Sequence, residues 1–378
     1  MKKIICILTT LLLLCPLTVF ASEGSTGEIY NAVKKQLLEC PVPQVGSIGG
    51  EWLVIGLSRA GALTKEMADG YYGNVVAYVN EKGSAKLDRN KSTENSRLVL
   101  ALTAIGRNPE NVNGYNLLQP LSDFNFVKKQ GINGPVWALI AIDSLQYEIP
   151  ETTAKEQTTR EKLIDYILGK QLQSGGCWAL GEQEADPDMT GMAIQALAPY
   201  YNRNNKAKSA VDKALDFVSA SQRDDGGLSD ASDSPECCAQ MITALTALGI
   251  DPDSDERFIK NSNSVVDCML RFSLDNGFAH DVGGEYNQMS TEQAFYALTA
   301  VNRLRECKTP LYDMCDLLME YDLNLDGKVD ITDATLAQKA IAELETLSLR
   351  QLRIARANSE GKVEVTFVTD TQRYIASR

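Results

Sequence analysis

Three glycine turns about fifty residues apart constrain this chain more than any other feature: Gln173-Ser-Gly-Gly176-Cys-Trp178, Gln222-Arg-Asp-Asp-Gly-Gly227-Leu and Leu274-Asp-Asn-Gly277-Phe278. Each closes a long amphipathic segment and opens a short apolar one. A repeat of that length marks an array of helical hairpins, because one hairpin cannot bury its apolar face without the next. The short segments include Trp52-Leu-Val-Ile-Gly-Leu, Leu98-Val-Leu-Ala-Leu, Val136-Trp-Ala-Leu-Ile, Ala193-Ile-Gln-Ala-Leu, Met241-Ile-Thr-Ala-Leu and Ala294-Phe-Tyr-Ala-Leu. They are apolar on most faces, as helices enclosed by other helices must be. The long segments cover 28–39, 66–81, a piece near 115–129, 155–173, 206–222 and 256–273, each with one apolar stripe and one solvated face. Six inner and six outer helices would close a ring with the inner set parallel, an all-α, α6/α6 toroid over residues 22–309.

The Gln-x-x-(Asp)-Gly-Gly-(Phe/Leu/Trp) turn, followed by a Thr-x-x-Ala-x-x-Ala-Leu helix, resembles the repeat of the squalene-cyclase and protein-prenyltransferase α/α toroids. Complement-type thioester domains and cobalamin carriers share that ring. The resemblance spans about 24–307 and implies a fold more than a function. A terpene-cyclase-like acid would be Asp188 in Asp186-Pro-Asp188-Met-Thr190, where Met189 replaces a third acid and the 7% aromatic content offers little to a carbocation. The zinc site of a prenyltransferase would need Asp, Cys and His. The sole histidine, His280, lies in a turn, and Glu236-Cys237-Cys238 supplies at most two soft ligands. A thioester needs Cys-Gly-Glu-Gln, and this chain has Leu180-Gly-Glu-Gln183.

In such a ring the starts of the inner helices line the open mouth. They carry the candidate ligand residues Trp52, Glu94, Trp137, Asp186, Asp188, Thr190, Glu236 and Glu292, with Trp178 and His280 in the turns before them. Helix capping alone explains acids and hydroxyls at helix starts, and tryptophans commonly pack a wall. Their convergence on one rim still makes it the default ligand site. Asp188, Glu236 and Glu292 are the catalytic candidates.

Near the C-terminus, Asp322-Leu-Asn324-Leu-Asp326-Gly327-Lys328-Val-Asp330-Ile-Thr-Asp333 places oxygen side chains at positions 1, 3, 5, 9 and 12 of a twelve-residue loop, with glycine at position 6. That pattern suits a hard Ca²⁺ ion, with Lys328 giving only its backbone carbonyl. The element recurs thirty-four residues on, where Asn358-Ser-Glu-Gly361-Lys-Val leads to Thr369-Asp-Thr-Gln372. Arg356 at position 1 and Phe367 at position 12 leave this second loop without carboxylates where a metal needs them. The duplication resembles an EF-hand-like type I dockerin over 310–378. The resemblance implies Ca²⁺, a cohesin domain of a scaffoldin or cell-surface protein as partner, and Ile331, Thr332, Lys339, Val365, Thr366 and Arg373 as its contacts.

Met1-Lys2-Lys3, an apolar run and Val19-Phe20-Ala21 read as a secretory signal peptide over 1–21. Losing Lys2 and Lys3 would take the net charge from −13 to −15, which argues against nucleic acid or an anionic membrane as partner, and no other stretch approaches the ~20 apolar residues that membrane insertion requires. Of nine cysteines, seven would remain after the leader, and without a regular framework they read as buried free thiols rather than a disulfide scaffold. The expectation is an extracellular, dockerin-anchored protein whose toroid is a non-catalytic ligand-binding module. The competing expectation is an enzyme using the rim carboxylates, on polysaccharide or in a cyclisation with Asp188 as acid.

Overall fold

The computed structural model describes residues 23–173, 176–180, 184–228, 233–358 and 360–378. The expected leader, Gly181-Glu182-Gln183 and part of the first glycine turn lie outside them. Outer and inner helices alternate in the first three hairpins as α1 (Glu23–Leu38) and α2 (Trp52–Arg59), α3 (Lys65–Lys82) and α4 (Ser92–Ala104), α5 (Phe124–Val127) and α6 (Asn133–Asp143). The last three are α7 (Arg160–Gly169) and α8 (Pro187–Leu197), α9 (Asn205–Ser221) and α10 (Pro235–Ala247), α11 (Val265–Leu270) and α12 (Gln288–Arg305). Each even-numbered helix packs on the next, and α12 packs back on α2, so the ring closes. Inner helices are buried almost throughout, α10 from Pro235 to Thr246 without a break. Outer α9 buries only Ala207, Ala210, Val211, Ala214, Leu215 and Val218, one stripe at helical spacing.

The repeat motif has a hydrogen-bonding reason. Gln222 Nε2 donates to the carbonyls of Gly226 (3.1 Å) and Phe258 (3.0 Å), tying one outer segment to the next. Gln171, rather than the expected Gln173, does the same work by donating to Ala210 O at 2.8 Å. After the glycines, Trp178 N donates to Thr190 Oγ1 and Phe278 N donates to Thr291 Oγ1, which pins each turn to the inner helix that follows. Gly226 has φ +82°, and a Cβ there would stand 2.0 Å from Ser264 O, so the turn admits no side chain.

Three outer helices are shorter than expected. α7 begins at Arg160 because Thr159 caps it through Lys162 N, while Phe124 N bonds Glu156 O and holds the preceding strand-like stretch. α11 starts only after Asn261 and Ser262, at φ 46° and 68°, and a capping box of Ser264 with Asp267. The piece near 115–129 is α5 flanked by two 3₁₀ turns, Gln119–Ser122 and Lys128–Gln130.

A second core forms around Leu323 of the first loop with Ala337, Ile354, Phe367 and Val368 of α13 (Ile331–Ile341), α14 (Leu349–Ile354) and α15 (Val365–Ala376). Leu311, Tyr312 and Met314 belong instead to the ring's core, so the structural boundary falls beyond the expected position 309. The cause is a clamp at the ring's seam. Arg59 of α2 and Arg303 of α12 both reach Asp316, at 2.8 and 2.7 Å, and Arg303 also donates to Arg59 O. Both guanidiniums bind Thr309 as well, which pulls the linker onto the ring. The C-terminal module rests on the same end: Leu349 N donates to Glu148, and Arg350 pairs with Glu110 at 3.1 Å with its guanidinium over Tyr147.

Replacing Asp316 by Asn would leave two buried guanidiniums facing each other without an anion. We expect a loss of about 3 kcal/mol, the low end for a broken buried pair because Asp316 is partly exposed. Urea denaturation would read this as a lower midpoint. An unchanged midpoint would mean the seam is held by apolar packing alone.

Candidate functional site

The rim and the ring's interior are built from inner-helix starts. Asp186 caps α8, accepting from the amides of Asp188 (2.9 Å) and Met189 (3.2 Å), so this acid is committed to the backbone. Asp188, two residues on, has a buried Oδ1 with no partner. Burial pushes its carboxyl up to about 6, the charges of Asp186 and Glu236 add to the rise, and the Cys237 thiol offsets part of it. Glu236 at the start of α10 accepts from Ser290 Oγ at 2.5 Å and lies 3.1 Å from His280 Nδ1. The structure therefore gathers Asp186, Asp188, Glu236 and His280 into one cluster.

Glu292 forms a second cluster with the loop before α2. Its Oε1 accepts from Gly49 N (2.9 Å) and Gln288 Nε2 (2.6 Å), while the buried Oε2 has no partner. Burial lifts its carboxyl to about 7, opposed by those two donors and aided by Glu51. Glu51 is fully buried and accepts from Gly46 N, Tyr71 and Arg97 Nε; Arg97 in turn reaches Glu94 at 2.8 Å. Glu94 thus takes part in an ion-pair chain.

The tryptophans divide. Trp52 and Trp137 meet at 5.1 Å although α2 and α6 are not neighbours in the ring, so the contact spans its interior. Tyr296 joins Trp52 at 5.9 Å, and Tyr312 of the linker joins Trp137 edge-on at 5.9 Å. Charges on Asp188 and Glu236 raise the buried Tyr296 hydroxyl further, and Glu236 stands one turn before Gln240, which bonds that hydroxyl. Trp178 and Thr190 lie elsewhere: Trp178 is fully buried with its indole N–H on Ile167 O, and Thr190 closes the turn. Both stand in the wall rather than the mouth.

Sequence reasoning missed Tyr296, Tyr312 and a polar layer below them. Gln195 Nε2 donates to Gln240, and Gln240 Nε2 donates to Tyr296 and Gln293. Gln195, Gln240 and Gln293, each among buried residues of an inner helix, were the available signal.

In the C-terminal module, Asp322 accepts from the amides of Asp326 and Gly327, and Asp333 from those of Asn324 and Asp330. Among the described residues no three acidic, His or Cys side chains stand together as a metal cage, since these carboxylates are turned onto the loop's own amides. The donor set nevertheless fits Ca²⁺. Gly327 has the φ of +82° that position 6 requires, and Asp322 and Asp333 are buried. Burial raises the Asp322 carboxyl, and the nearby Asp333 and Asp326 charges push the same way against two donated amides. Asn324, Asp326, Lys328 and Asp330 complete the loop, with Asp326 and Lys328 exposed. In the second loop Phe367 lies in the core against Tyr321 and Arg356 pairs with Glu320. Ile331, Thr332, Lys339, Val365, Thr366 and Arg373 are all exposed on α13 and α15.

No family model matches the chain, and no curated protein matches it. Solved structures do. Candida albicans protein geranylgeranyltransferase-I, complexed with GGPP, aligns with 74% of this chain and 92% of its own at TM-score 0.51 and 12% identity. Type II terpene cyclase MstE from Scytonema, in complex with merosterolic acid A, covers 73% and 97% at TM-score 0.45 and 12% identity. The chain has the prenyltransferase-like α/α ring. At such identity the likeness reaches the fold alone. Among the described residues no helix is long and apolar enough to cross a membrane.

Asp188 and Glu292 favour the fold while protonated. Their contribution is full at pH near 4 and is lost as pH rises through about 6 and about 7. The melting temperature should therefore fall between pH 5 and 8, as thermal denaturation followed in buffers across that range would show. Glu292→Gln should flatten that fall, and a parallel curve for the variant would refute the burial argument.

Proposed function

We propose that the ring is an acid–base enzyme whose proton donor is Asp188, acting on an uncharged, unsaturated or epoxide-bearing isoprenoid-like substrate. One observation carries the reading: a carboxyl held up to about 6, with a buried unpartnered oxygen, lies within electrostatic reach of Tyr296, which joins the cluster of Trp52, Trp137 and Tyr312. An acid that keeps its proton near pH 6 is a ready general acid. Protonation of an alkene or epoxide leaves a cation, and aromatic faces stabilise cations. Asp188 gives its proton to the substrate. Glu236, held by Ser290 and His280, takes up the proton that the cation releases. A π-rich, apolar interior suits such a hydrocarbon better than a polysaccharide.

A second reading, a non-catalytic extracellular ligand-binding module, is favoured by the same rings being in contact across the interior, which leaves a ligand only the rim. In either case the C-terminal module is proposed as a dockerin-like anchor. Ca²⁺ bound by Asp322, Asn324, Asp326, Asp330, Asp333 and the Lys328 carbonyl would neutralise the gathered acids and present α13 and α15 to a cohesin on a scaffoldin or cell surface. The protein would act outside the cell, after export through its leader.

Two experiments test these proposals. The protein is incubated with polyprenyl alkenes, their epoxides and plant glycans, and products are read by mass spectrometry. Turnover should decline as pH rises above about 6 and drop at least 100-fold in Asp188→Asn, whose melting temperature at neutral pH should be no lower than the parent's. Ligand recovered unaltered from every incubation would establish the binding module instead. Separately, chelation or Asp322→Ala should abolish cohesin capture while the ring's melting transition persists; capture unaffected by chelator would remove the calcium anchor.

A further inference from the structure

The ring's opposite end holds a cavity of about 650 Å³, roofed by the C-terminal module. Its floor is the ends of α6, α8 and α10, with Ile140, Gln195 and Thr243. One side is the linker with Leu311 and Tyr312, and the roof is α14 and the second loop with Leu352, Asn358 and Gly361. Cavities of this size between domains are where proteins hold small ligands.

Two lining groups lack partners. Gln195 is 5% exposed; its Nε2 is used twice on Gln240, and its Oε1 accepts nothing. Tyr312 is 9% exposed, and its hydroxyl has no partner although its ring is packed on Trp137. A buried acceptor and a buried hydroxyl left unpaired each cost free energy unless a ligand satisfies them. Nearer the solvent, three guanidiniums line the same cavity: Arg203, Arg353 and Arg356. Arg353 has only a long contact with Asp313 at 3.7 Å and Arg356 pairs with Glu320, whereas Arg203 has no carboxylate within ion-pair reach among the described residues.

We propose that this cavity binds a small hydroxylated organic anion of disaccharide size. Its hydroxyls would meet Gln195 Oε1 and Tyr312 at the floor. Its carboxylate or phosphate would meet Arg203 and the neighbouring arginines at the entrance, and the faces of Ile140, Leu311 and Leu352 would cover its apolar side. Because the walls come from both the ring and the module, the ligand would also fix one on the other. Nothing in this site depends on Asp188 or on turnover at the rim.

Calorimetric titration of the full chain tests it, with digalacturonate, neutral lactose and inorganic phosphate as probes. Digalacturonate should bind, lactose at least tenfold more weakly, and inorganic phosphate not measurably. Arg203→Glu, an exposed change that leaves both cores intact, should weaken digalacturonate about tenfold or more, as should Gln195→Leu, while Asp188→Asn leaves it unchanged. The proposal is overturned if digalacturonate fails to bind, if phosphate binds as well, or if Arg203→Glu binds normally. Loss of binding in Asp188→Asn would move the site to the rim and overturn it too.

Discussion

The ring depends on how its first and last inner helices are joined. A circular array has one seam that chain connectivity does not close, here between α2 and α12. Apolar packing contributes, with Gly56 letting Phe295 approach to 3.1 Å of where a Cβ would stand. The specific lock is electrostatic: Arg59 and Arg303, both nearly inaccessible, share the Asp316 carboxylate. Burial and the Arg303 charge hold the Arg59 guanidinium below its usual range, so neither arginine would tolerate the place alone. The anion that reconciles them comes from the linker. Closure of the ring and placement of everything after residue 305 are therefore one event.

That lock fixes what each end of the ring can do. With the linker drawn across the C-terminal ends of the inner helices, Tyr312 enters the interior and meets Trp137. The opposite end stays lined by helix starts, where positive helix termini and capping geometry favour acids. Most of those acids are spent on structure, as Asp186 is on the α8 amides and Glu51 on Arg97. Asp188 and Glu292 are the exceptions, each keeping one buried oxygen without a partner. A fold that supplies caps by default thus yields a chemically distinct acid only where burial exceeds the local donors.

Much of this architecture was legible because its cause is local. Inner and outer helices differ in composition, and a period near fifty is countable, so the ring followed from pattern alone. The helix ends were less legible. Asn261 and Ser262 break the last outer helix by adopting positive φ, which an Asn-Ser-Asn-Ser run permits but does not announce. The site was legible as a list and not as an arrangement: Asp188, Glu236 and His280 converge, while Trp178 and Thr190 prove to be turn and wall residues. Tyr312 was hidden because it lies outside the repeats, in a segment assigned by sequence to the C-terminal module. Only the seam explains why that segment returns to the ring.

Tyr312 also joins the two ends physically. Its ring completes the aromatic cluster of Trp52, Trp137 and Tyr296, and its hydroxyl lines the cavity beneath the module. A buried hydroxyl without a partner is held by packing rather than by its own hydrogen bond, so its position is set by Trp137 on one side and by whatever fills the cavity on the other. The same side chain thus offers its hydroxyl to the cavity and its ring to Trp137, and Trp137 is in contact with Trp52 at the mouth. Three rings therefore stand in contact between the rim and the roofed cavity. Trp52 rides on α2, whose C-terminal end Arg59 ties to Asp316, so the lock that closes the ring also fixes the first of these rings.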